Sequence, residues 1–149
     1  MSVEQAQRSV NQIDKDIADL EKKMADLVKK EADKTKRIGD VQRSITKNTS
    51  QSTYQSKMRQ IQNYQKELSK ILTDKANINQ KLADKRKKRV DAANKLQKEE
   101  DSQAKKLAKQ QQNIFAAYEQ QIDELTKQIQ KEESVSMTEK QIFETNSME

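Results

Sequence analysis

In 149 residues this chain has no proline and one glycine. Those two residue types supply most of the backbone conformations that tight turns need, so a chain almost without them changes direction rarely. Its elements must be few and long. With 36% charged and 32% hydrophobic residues, it falls well short of the ~45–50% apolar content of an ordinary globular domain. Two homes remain for such a composition, a disordered chain or long helices with narrow apolar stripes, and the spacing of the apolar residues decides between them.

Steps of three and four from Val3 land on Val3, Ala6, Val10, Ile13, Ile17, Leu20, Met24, Leu27, Glu31, Lys34, Ile38, Val41 and Ile45, and eleven of these thirteen slots are apolar. The thirty positions between them hold four apolar residues, Ala18, Ala25, Val28 and Ala32. This is the 3.5-residue period of a coiled-coil seam. From Thr46 to Thr53 no apolar residue occurs, and the short hydroxyl and amide side chains there compete for backbone hydrogen bonds, which favours a turn. Ser52 followed three residues later by Gln55 predicts a capping box that opens a second helix. Gly39 interrupts neither stripe nor register, and costs about 1 kcal/mol relative to alanine in a helix.

The period resumes with Ile61, Tyr64, Leu68, Ile71, Lys75, Ile78, Leu82, Lys85, Arg89, Ala92 and Leu96. After Leu96 the frame shifts by one residue, and a third stripe runs Ala104, Ala108, Gln111, Phe115, Tyr118, Ile122, Leu125, Ile129. Nothing between Thr53 and Glu133 breaks a helix. The pattern predicts helix 1 over about 2–47, a polar turn at 48–51 and helix 2 over about 52–133, with 134–149 a linker or tail that has lost the heptad rhythm. The fold class expected is all-α: an antiparallel helical hairpin coiled coil continuing into one long extended helix.

A hairpin centred between Thr49 and Ser50 sets Val3 against Leu96, Ile17 against Leu82, Leu27 against Leu72 and Ile38 against Ile61. Its flanking charges are complementary, with Glu4 near Lys95, Arg8 near Asp91 and Asp14 near Lys85. Exposed pairs of this kind contribute about 0.2–1 kcal/mol each, so they select orientation more than they supply stability. The alignment exhausts helix 1 at about Leu96, where the frame of helix 2 changes. Phe115, Tyr118, Ile122, Leu125 and Ile129 then have no partner in the first helix. Burying such side chains is worth roughly 1.5–3 kcal/mol each, and the expected cover is the same segment of another chain, in a homo-oligomer, or a neighbouring domain. The seam slots filled by Glu31, Lys34, Lys75, Lys85 and Arg89 read most simply as long side chains whose stems cover the seam while their heads reach water.

With neither histidine nor cysteine, the chain lacks the usual proton shuttle, the thiolate nucleophile and the commonest metal ligand. A carboxylate pair needs a dry, concave setting to tune its pKa, which a two-stranded rod does not provide. No catalytic residue, cofactor or metal is expected. From Lys75 to Lys109, twelve Lys and Arg face five Asp and Glu, and the densest run is Lys85, Arg86, Lys87, Lys88 and Arg89. Such a run can hold phosphates of nucleic acid or of an anionic surface, which gives an alternative reading as a basic scaffold. The plainer reading is a solvated face, because five consecutive helical residues point all round and no aromatic lies nearby to stack on a base. No run reaches the ~18 apolar residues of a membrane span, and the N-terminus has no signal-peptide core. The cytoplasm is the default location.

The run Arg43-Ser44-Ile45-Thr46-Lys47-Asn48-Thr49-Ser50-Gln51-Ser52-Thr53, then Ser56-Lys57, Gln80-Lys81-Leu82-Ala83-Asp84-Lys85 and Leu96-Gln97-Lys98-Glu99-Glu100, resembles the N-terminal coiled-coil region of bacterial Toll/interleukin-1 receptor (TIR) domain proteins. The resemblance spans about residues 1–133. Its polar turn is the more specific part, since any coiled coil shares Lys/Glu-rich helices. Tyr54 departs from it, standing where leucine is expected. The resemblance implies a self-association region in front of a TIR domain, in a parent NAD hydrolase of antiphage defence. No strand of the type that opens a TIR domain is present, so no catalytic or NAD-contacting residue carries over.

Overall fold

The computed structural model describes residues 1–148, and side chains through residue 146. Two helices account for nearly all of it: α1 over Val3–Arg43 and α2 over Gln51–Met148. Among the described residues there is no strand, and no helix is long and apolar enough to cross a membrane. The chain divides into two compact units, residues 1–99 and residues from 100 onward. The first is an antiparallel hairpin of α1 with the N-terminal half of α2; the second is the distal part of α2.

Helix α1 opens with a capping box. The Ser2 hydroxyl accepts from the Gln5 backbone N–H at 3.1 Å and the Gln5 side chain accepts from the Ser2 backbone N–H at 3.0 Å, so two of the otherwise unpaired donors of the first turn are satisfied. The helix passes through Gly39 unbroken and stops at Arg43, four residues earlier than its apolar pattern suggests. Ser44 explains the stop. Its hydroxyl turns back to donate to the Val41 carbonyl at 2.6 Å, a local bond that competes with helix propagation. Ile45 nevertheless remains half-buried, as a seam residue supplied by the turn.

The turn is built from hydroxyls. Thr49 Oγ1 accepts from the Thr46 N–H at 2.8 Å while the Thr49 N–H donates to the Thr46 carbonyl at 3.2 Å. Lys57 Nζ crosses from α2 to the Ser44 carbonyl at 2.8 Å, tying the second helix to an exposed end of the first. Ser50, not Ser52, caps α2: its hydroxyl accepts from the Thr53 N–H at 3.3 Å and donates to Thr53 Oγ1 at 2.8 Å. The expected Ser52–Gln55 box is therefore replaced by a cap two residues earlier, where the backbone still lies outside the helix.

Helix α2 does not end near Glu133. It continues through 134–148, which the sequence pattern marks as a linker or tail; Glu149 lies outside the described residues. That stretch holds no glycine or proline to break the helix, and Thr138 and Thr145 direct their hydroxyls to the carbonyls four residues back, of Ser134 and Gln141, a bond compatible with helical backbone.

Candidate functional site

Within the hairpin, the apolar side chains of the two stripes cover each other. Ala6, Val10, Ile61, Ile71 and Leu82 are buried. Val3, Ile13, Ile17, Leu20, Met24, Leu27, Ile38 and Val41 of α1 are half-buried, as are Tyr64, Leu68, Ile78 and Leu96 of α2. Leu72, set against Leu27 by the charge-matched alignment, is instead 50% exposed, and its neighbour Ile71 takes the inward position at 7%.

The polar seam slots are engaged in cross-hairpin pairs rather than merely covering the seam. Glu31 accepts from Lys75 at 2.5 Å with both side chains half-buried. Lys34 reaches Glu67 at 2.8 Å and lies 5.6 Å above the Tyr64 ring. Lys85 donates to Asp16 at 3.1 Å, Arg89 donates to Asp14 at 2.5 Å, and Arg86 approaches Glu21 at 3.5 Å. These contacts fix the register, a role that polar groups at seam positions perform in other helix pairs.

The observed partners differ from those expected on level alignment. Asp14 takes Arg89 rather than Lys85, Lys85 takes Asp16, and neither Glu4 with Lys95 nor Arg8 with Asp91 forms an ion pair among the described residues. Side chains on a helix lean toward its N-terminus. In an antiparallel pair the lean of α1 is away from the elbow and that of α2 toward it. An acid on α1 therefore meets a base rooted further from the elbow than the residue opposite its own Cα. The hydrogen bond from Lys85, then that from Gln12, holds the Asp16 carboxyl below its ordinary range. Asp14 raises Arg89, and Tyr64 followed by Asp33 raises Arg37.

These pairs also bear on the basic run. Of Lys85, Arg86, Lys87, Lys88 and Arg89, the first, second and fifth are matched by carboxylates of α1. The run is thus three-fifths neutralised within the hairpin, which leaves a weak electrostatic patch for an outside anion. Open grooves flank the seam: one of about 380 Å³ lies over Leu20, Leu27 and Ile78, and another of about 440 Å³ over Asp16, Lys81, Asp84 and Lys85. Both carry mixed charge at their rims. No cluster of three or more metal-ligating side chains occurs among the described residues.

The distal unit is different in kind. Phe115 is 70% exposed, and Tyr118, Ile122, Leu125 and Ile129 are between 55% and 60% exposed. They recur at helical spacing on α2, and no described side chain of their own unit covers them. No family model matches the chain, and neither curated proteins nor solved structures give a match. The chemistry of this face must be read from its own residues.

That face is wider and longer than the stripe read from Phe115 to Ile129. Leu107 and Ile114 adjoin it, both exposed. Beyond Glu133 the uninterrupted helix adds Val135, Ile142 and Phe143, which are 52%, 57% and 75% exposed. Leu107, Ile114, Val135 and Ile142 all lie on one seven-residue column, a regularity visible only when the column beside the main stripe is counted.

Proposed function

We propose that the chain is a non-catalytic coiled-coil oligomerisation module in which the hairpin is a self-contained brace and the distal helix joins copies together. The observation that carries this reading is the contrast in cover. The hairpin's apolar stripes bury one another, whereas large apolar side chains of the distal unit stand more than half exposed on one helix face. Contiguous exposed apolar surface of that kind marks an interaction site, and an identical chain is the partner always at hand. The likeness to the region preceding bacterial TIR domains supports the same reading. There, the self-association would cluster an NAD-cleaving domain in a cytoplasmic defence protein. The alternative, a scaffold holding nucleic acid or an anionic surface on residues 85–89, draws less support because α1 already matches three of those five cations.

Light scattering of the purified chain tests the proposal. At micromolar concentration its mass is expected to be at least twice that of one chain. A monomer under those conditions contradicts it.

A further inference from the structure

The two flanks of the distal stripe are unlike each other, and that asymmetry selects an orientation. When Phe115, Tyr118, Ile122, Leu125 and Ile129 are taken as the central positions, the positions at every seventh residue from 107 on one flank read Leu107, Ile114, Gln121, Gln128, Val135 and Ile142. From 105 on the other flank they read Lys105, Gln112, Glu119, Thr126, Glu133 and Lys140. One flank is apolar at both ends; the other carries lysines at its ends, Lys105 and Lys140, with Glu119 and Glu133 between them. In a parallel pair of helices each flank faces the opposite flank of its neighbour, and flanking residues set partner choice and orientation. In an antiparallel pair, like flank faces like.

We propose that the distal face is covered by the same segment of a second copy running antiparallel, with the crossing point between Tyr118 and Ile122. The proposal rests on the self-association reading above. In this arrangement Tyr118 lies beside Ile122 of the second copy and Phe115 beside its Leu125. The apolar flanks meet as Leu107 with Val135, and the charged flanks as Lys105 with Glu133. The local charge has the same sense: residues 105–109 hold three lysines and no acid, and the facing residues 131–135 hold two acids and one lysine. Parallel pairing instead lays like charge on like and sets Ile114 against Glu119 and Val135 against Lys140. The antiparallel pairing has its own adverse contacts: Glu119 against its own copy at the two-fold axis, Gln111 against Ile129, and, toward the ends, Asp101 against Glu139 and Ile142 against Glu100.

Site-directed cross-linking tests this directly, because the chain has no native cysteine. Lys105→Cys and Glu133→Cys chains are prepared separately, confirmed as oligomers by light scattering, and oxidised alone and as an equal mixture. The mixture is expected to form disulfide-linked dimers at least ~10-fold faster than either chain alone, the advantage that apposition within one complex gives over random collision. Gln112→Cys mixed with Thr126→Cys repeats the measurement without altering a charge, and the same result is expected. Oligomers in which Lys105→Cys links readily to itself, or in which neither mixture links, overturn the antiparallel register while leaving self-association standing. Monomeric chains overturn both.

Discussion

The double variant Ile122→Asp, Leu125→Asp is expected to be monomeric where the parent chain is oligomeric, with the hairpin's thermal transition unchanged. In a two-chain complex it removes four large apolar side chains from the interface. At roughly 1.5–3 kcal/mol for each one buried, the loss is about 6 kcal/mol or more. Since each 1.4 kcal/mol is a factor of ten, Kd rises by at least ~10⁴-fold. The incoming carboxylates add a desolvation cost in the same direction. The hairpin is spared because Ile122 and Leu125 belong to the distal unit and are already 60% and 57% exposed in the single chain. Sedimentation velocity gives the mass and circular dichroism the transition. An unchanged mass contradicts the assignment of this face as the joining surface.

The converse effect is expected at Leu82. It is 4% exposed, one of five buried apolar residues of the hairpin, and Leu82→Ala both forfeits transfer free energy and leaves a void. Such truncations cost 2–5 kcal/mol. A two-helix seam relaxes more readily than a multilayered core, which places this one near the lower end. For a unit of this size each kcal/mol shifts Tm by about 4–8 °C, so a fall of ~10 °C or more is expected. Leu72→Ala is the matched control: the same residue change at a 50% exposed position is expected to cost no more than ~0.5 kcal/mol. Thermal melts of the two variants in a monomeric background separate seam from surface. Equal shifts contradict the inward assignment of Leu82.

The contrast between Leu72 and Ile71 shows how far the sequence speaks. The heptad stripe is legible because burial in a two-stranded rod is decided almost wholly by angular position. Adjacent leucine and isoleucine residues, however, leave a choice of one position that only the partner helix settles. The elbow is legible as a region, because a run of hydroxyl residues opposes helix. Its edges are not, since they depend on whether Ser44 and Ser50 bond back to neighbouring backbone groups, and a serine's neighbours do not announce that choice. The ion pairs follow the expected orientation with shifted partners, since level alignment omits the lean of side chains along their helices. The extension of α2 past Glu133 escapes a search for central apolar positions, because Glu132, Ser136 and Glu139 occupy them. Val135 and Ile142 continue the neighbouring column instead.

The distal face is therefore the least legible part and the one on which the proposed function rests. Its exposed residues were visible as a stripe; its second column required the helix to be continuous. The basic run is the more legible part. The sequence favours a solvated face over a binding patch for residues 85–89, with Asp14, Asp16 and Asp19 of the first helix as partial matches, and the fold pairs Lys85, Arg86 and Arg89 with Asp16, Glu21 and Asp14.

The whole division of labour depends on the chain reversing at residues 44–50. The distance between spin labels at Arg8→Cys and Asp91→Cys, recorded in a large excess of unlabelled chain, tests that reversal most directly. A hairpin predicts a single narrow distribution near ~20–30 Å, two helix diameters plus label linkers. A chain that does not reverse holds the labels apart by up to ~125 Å of helix, at 1.5 Å per residue. A distribution confined beyond ~60 Å would contradict the account.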